Sequence, residues 1–244
     1  MKQLGLKFAF GGLAAGLLLL TAQPSFATVS GELLTGGNGT LTISATSLTF
    51  TPNDTTGYST EVAAGTDLMF AGCSSGVLGS SGCLTQGEGV DINGGDTITS
   101  LGPITDFLTF ATTSSLVYSL TGYDAGSTDT DCAALTIGES CSVFAGSPVI
   151  LTKEADGTAA ALGVYGTVTD GSGASNWTGE FTATVNHETP QQLQAMILAG
   201  EAITHTHSGD FTVTSAVPEP RLISLAALAA LFLGLVVQKR RKIA

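Results

Sequence analysis

The chain has 244 residues, 20 of them acidic against 8 basic, a formal net charge of −12. So few cations argue against nucleic-acid and phosphate chemistry, because Lys and Arg must neutralise phosphate. Walker-type and dinucleotide-binding loops are also missing from the sequence.

At the N-terminus, Lys2 and Lys7 precede an apolar stretch through Leu20, and Ser25-Phe26-Ala27 puts small residues at −3 and −1. This predicts a secretory signal peptide over 1–27, helical in the membrane and cut by signal peptidase after Ala27. A permanent N-terminal anchor is the alternative. The exported part, 28–216, is long enough for one domain with its own core. Lys153 is its single basic residue, so its charge is about −18 at neutral pH. That charge favours solubility and makes divalent cations natural partners.

Thr, Ser and Gly dominate this part, which favours strands and tight turns. Period-two alternation runs through Leu41, Ile43 and Ala45, then Phe181, Ala183 and Val185, then Phe211 and Val213. Further strands are expected over 97–101, 104–111, 116–123, 149–153 and 159–169. Asp156-Gly157 predicts a hairpin, and Asn93-Gly94, Asp170-Gly171 and Ser208-Gly209 predict other turns. One helix is expected, capped by Thr189, started by Pro190, stopped by Gly200, with Leu193, Met196 and Ile197 on one face. The expected fold is therefore all-β: an antiparallel β-sandwich, jelly-roll-like, with one short helix closing one end.

The cysteines form two local couples, Cys73/Cys83 and Cys132/Cys141, without zinc-type spacing. In an exported chain they read as disulfides. Three pairings are formally open, and the local one is favoured because each couple closes a small-residue loop, stabilising by about 2–3 kcal/mol.

After the domain come Val217-Pro218-Glu219-Pro220, an apolar run over 222–237, and Lys239-Arg240-Arg241-Lys242. As a helix the run spans roughly 24 Å, short of a hydrocarbon core of about 30 Å. Arg221 snorkels at one interface, and the basic cluster holds the other end in the cytoplasm. A C-terminal transmembrane helix is therefore expected, retained as a single-pass anchor or removed. This order of motif, apolar run and basic end resembles the PEP-CTERM sorting signal of bacteria, here 217–244. The same tail type is also catalogued as the ice-binding protein C-terminal domain, a label for the tail and not for the body. The resemblance implies recognition of Pro218-Glu219-Pro220 by an exosortase-type membrane protease, passage through the inner membrane, and release into the envelope or extracellular matrix. The stretches 166–171, 176–179 and 189–200 resemble a body type found among PEP-CTERM proteins, which carries no established activity.

Candidate chemistry in the body is sparse. Asp91, Asn93 and Asp96 alternate around glycines and offer oxygen ligands to calcium, though without a distal bidentate Glu. Asp129 and Asp131 are a weaker case. His205 and His207 share strand parity, and His187 is within reach of a metal triad. Eight Thr-x-Thr triplets suggest an ice- or polysaccharide-matching surface, but they follow no fixed period. Trp177 is either core or a sugar-stacking platform. A catalytic motif of the His-Glu-x-x-His kind does not occur, and the one Gly-x-Ser-x-Gly string, Gly72–Gly76, runs through a Gly/Ser loop around Cys73 and not a strand-to-helix elbow. The leading expectation is a non-enzymatic envelope or exopolysaccharide-matrix protein without a cofactor. The alternatives are a calcium- or carbohydrate-binding adhesion module, a membrane-anchored surface protein, and a secreted hydrolase.

Overall fold

The computed structural model describes residues 29–45, 47–52, 57–93 and 103–214, and Ala27–Ala216 make one compact unit. Among the described residues eleven strands carry it: β1 (Gly31–Ile43), β2 (Leu48–Pro52), β3 (Thr60–Val62), β4 (Gly89–Ile92), β5 (Ile104–Phe110), β6 (Val117–Tyr123), β7 (Ser140–Ser142), β8 (Val149–Glu154), β9 (Gly157–Thr169), β10 (Ala174–Asn186) and β11 (Ile203–Thr214). One helix, α1 (Pro190–Leu198), connects the last two strands.

Neighbours in the order β10-β11-β1-β3-β4-β5-β6-β9 pair antiparallel, and β9 pairs with β10 again. The sheet thus closes into an eight-stranded barrel, which corrects the expected sandwich. The ladder that closes it runs without a break from Gly157↔Asn186 to Thr169↔Ala174. Alternation along a strand marks a buried and a wet face, but the buried face may look into a barrel or onto a second sheet. β2 lies beside β1, β8 lies beside β9 and β7 beside β8, all three outside the ring.

The interior is packed with side chains, as expected for eight strands. Trp177, Tyr118, Phe107, Phe181 and Phe211 are fully buried there. Phe107 stacks on Trp177 with ring centroids 6.1 Å apart. Phe211 meets Trp177 edge-on at 5.7 Å and Phe181 at 5.1 Å, geometries that aromatic quadrupoles favour. Trp177 is therefore core, not an exposed sugar platform.

Local signals fare unevenly. The β8–β9 hairpin turns on Ala155-Asp156, since Glu154 pairs with Gly157, so the turn sits one residue earlier than expected. Asp170-Gly171 does turn β9 into β10. Ser208-Gly209 is no turn: both residues lie inside β11, and Gly209 leaves room for the Phe211 ring, which a Cβ there would approach to 2.6 Å. The expected strand 97–101 lies outside the described residues, as do the signal segment 1–27 and the apolar run 222–237. Among the described residues, no helix is long and apolar enough to cross a membrane.

Helix α1 has the expected Thr189 cap, reciprocated by Gln192 in a capping box, with Pro190 in the first turn. Gly200 (φ 86°) ends it, with Gly200 N–H on the Ile197 carbonyl and Glu201 N–H on that of Met196, a Schellman motif. Leu193 and Ile197 are buried. The Gln194 amide donates to the Thr130 and Val143 carbonyls at 2.8 and 3.0 Å. That anchors the helix over the segment stapled by Cys132–Cys141, while Cys73–Cys83 staples the loop between β3 and β4.

Gly166 tests the barrel packing. A methyl group there would run into the Ser119 carbonyl and come within 3.0 Å of Trp177. Gly166→Ala is expected to lower stability by about 2–3 kcal/mol, typical of an overpacked core, read from the urea midpoint by Trp177 fluorescence.

Candidate functional site

The β10–β11 ladder begins at Asn176↔Thr214 and stops at Thr182↔Ser208. Past that point 183–186 stay paired with β9 and 203–206 with β1, but not with each other. A tight hairpin would hold these ends together. Here the connection contains α1, which docks over β7 and β8 and lets the strands diverge. A cleft of about 500 Å³ opens between them. Because β11 lies between β10 and β1 in the sheet, its Thr206, His207 and Ser208 form the base. Thr182, Thr184 and Asn186 of β10 stand on one side, Gly36 and Gly37 of β1 on the other.

Strand alternation sorts these residues. Thr182, Thr184, Asn186, Thr206 and Ser208 belong to the outer face, whereas His207 has inward parity and is 4% exposed. Phe50 meets its ring edge-on at 5.2 Å, and Phe181 at 6.0 Å. Neither Nδ1 nor Nε2 has a hydrogen-bond partner. Burial in this apolar surround holds the imidazole pKa down at about 4, so at neutral pH one nitrogen donates and the other accepts. The cleft lining carries no charged side chain.

The cleft continues into rows of hydroxyls. β1 lies between β2 and β11 with Thr40 opposite Thr51 and Thr206, and Thr42 opposite Thr49 and Thr204. Thr42 and Thr204 share a hydrogen bond of 2.8 Å, and Thr182 and Ser208 one of 2.9 Å. Three Thr-x-Thr triplets, unevenly spaced in the chain, thus become two rows across three strands. Two residues beyond Ser208 on the same face, Asp210 faces Glu180. The Asp210 charge raises the Glu32 pKa, helped by their mutual hydrogen bond, partial desolvation and Asp67. The hydroxyl surface therefore borders an acidic ridge.

The other expected sites have structural occupations. Asp91 accepts from the Ser59 hydroxyl at 3.3 Å. The Asn93 amide donates to the Asp106 carbonyl at 2.9 Å, and Asp96 lies outside the described residues. Asp129 and Asp131 accept from the Asp131 and Ala133 N–H groups. His187 is exposed and contacts Asp156 at 3.1 Å, whereas His207 is buried. Among the described residues, no three His, Cys, Asp or Glu side chains gather as metal ligands. The buried carboxylates serve the backbone: Glu88 accepts from Thr112 and Thr85, Asp170 from Ala71 and Ser172. Ala27, Pro218, Glu219, Pro220, Arg221, Lys239, Arg240, Arg241 and Lys242 lie outside the described residues. Sequence reasoning missed the cleft itself. Its traces were Thr182-x-Thr184-x-Asn186 and Thr204-x-Thr206-x-Ser208, two polar alternations flanking the helix.

Two pH predictions follow from the titratable groups. His207 is depressed from 6.5 to about 4, so between these values the unfolded state binds more protons. Its stabilisation is present above 6.5 and is lost towards pH 4, by roughly 3 kcal/mol. His207→Phe is expected to flatten that loss in urea unfolding followed against pH. Glu32 has the opposite sign: raised above 4.5, it favours the fold below that pH and loses this contribution as pH rises. Glu32→Gln is therefore expected to raise the thermal midpoint at pH 7, the gain vanishing in acid. No family model matches this chain, nor does any curated protein or solved structure.

Proposed function

We propose that this chain is an exported, non-enzymatic protein of the cell envelope or exopolysaccharide matrix, delivered by its N-terminal leader and sorted through a PEP-CTERM-type tail. The observation that carries this reading is the state of the cysteines. Cys73–Cys83 and Cys132–Cys141 are both closed, and no cysteine is free. Closed structural disulfides belong to oxidising compartments outside the cytoplasm. A domain with Lys153 as its one basic residue further disfavours roles on nucleic acid or phosphate. The non-enzymatic part of the reading draws on the buried carboxylates, Glu88 and Asp170, which accept hydrogen bonds that hold loops in place.

In this reading signal peptidase cuts after Ala27. An exosortase-type protease acts at Pro218-Glu219-Pro220 while the 222–237 run, flanked by Arg221 and the Lys239–Lys242 basic cluster, holds the precursor in the inner membrane.

Intact-mass measurement of protein from medium and membrane fractions tests both ends. The expected released species lacks 1–27 and 222–244 and has no alkylatable thiol. Cytoplasmic protein with four reactive thiols, or released protein retaining the tail, would contradict this account.

A further inference from the structure

We propose that the cleft where the β10–β11 ladder opens beside the buried, unpartnered imidazole of His207 binds a neutral saccharide. The inference rests on the barrel alone and holds whichever way the tail is processed.

The lining decides the ligand class by elimination. An anion finds no cation, because Lys153 is the single basic residue between 28 and 217, and Glu180 and Asp210 repel it from two residues along the same face. A metal ion finds no gathered ligands among the described residues. An apolar ligand would strip water from hydroxyls and an amide without replacing its hydrogen bonds. What remains is a neutral molecule that donates and accepts at closely spaced points, as the hydroxyls of a sugar do. Thr182, Thr184, Thr206 and Ser208 are themselves both donors and acceptors, and Asn186 adds an amide. The volume of about 500 Å³ lies within the range of small-molecule sites.

His207 forms the floor of the cleft. Its ring is 4% exposed and fixed edge-on by Phe50, yet both nitrogens lack a protein partner. The ring nitrogens are themselves closed off from solvent, so the ligand's hydrogen bonds fall to the outer-face groups Thr182, Thr184, Asn186, Thr206 and Ser208 above it. Gly36 and Gly37 leave the β1 side open: a Cβ at Gly37 would meet nothing within 4 Å. A polymer longer than the cleft can therefore cross it towards the threonine rows of β1 and β2.

The test is affinity electrophoresis of the full-length protein, in mild detergent, through native gels containing starch, xylan, mannan, mixed-linkage β-glucan or alginate. Saturable retardation by at least one neutral polymer is expected. The Thr184→Val/Thr206→Val double variant should need about tenfold more polymer for the same retardation. Thr178→Val, on the outer face of β10 but outside the cleft, should behave as wild type. Asn186→Leu is a second cleft variant should the double one misfold, checked by circular dichroism. Indifference to all four neutral polymers, equal retardation of cleft variants and wild type, or retardation by alginate alone would overturn the proposal. So would shaping of ice crystals without saccharide binding, which would assign the hydroxyl rows to ice.

Discussion

Barrel closure is the constraint on which this structure depends, and the β9–β10 ladder supplies it. Thirteen residues of each strand pair without interruption. The shorter strands between β1 and β9 then complete a ring with no open edge along the closing seam. Ring closure also explains the additions outside it. The far edge of β9 is shared, its later half with β6 and its earlier half with β8. The far edge of β1 is shared likewise, between β3 and β2. Long strands outrun their ring neighbours, and short strands cover the exposed lengths.

The cleft follows from the same mismatch. β10 continues past the end of its ladder with β11, and its remaining residues are held on the β9 side. Among the described residues nothing covers the gap, because the connection is taken up by α1, capped at both ends and anchored through Gln194. A functional feature therefore arises where two ladders end out of step, in a surface otherwise made of uniform half-buried strands.

The polar groups inside divide into two kinds. Glu88 and Asp170 are buried but accept several N–H and O–H donors each, so their burial is compensated. Tyr118 Oη and Trp177 Nε1 lie in the barrel with no protein partner, and desolvation drives the Tyr118 hydroxyl strongly upward in pKa. The aromatic packing of Trp177 against Phe107 and Phe211 offsets those losses. His207 belongs with this second kind, and among the described residues it alone combines missing partners with a place at the base of the cleft.

The chain by itself determined what local rules govern. The expected strands 104–111, 116–123, 149–153 and 159–169 match β5, β6, β8 and β9 closely, whereas the alternations at 41–45, 181–185 and 211–213 marked only parts of β1, β10 and β11. Capping residues set α1, and loop length matched each cysteine to its neighbour. A lack of Lys and Arg narrowed the ligands before any fold was known. Tertiary structure alone decided that the sheet closes, that Ser208-Gly209 continues a strand, that His207 is buried while His187 is exposed, and that three threonine triplets align. Each of these depends on which distant strands pair and in what register. Period-two patterning records only which face is dry, and is the same for a barrel, a sandwich or a slipped ladder.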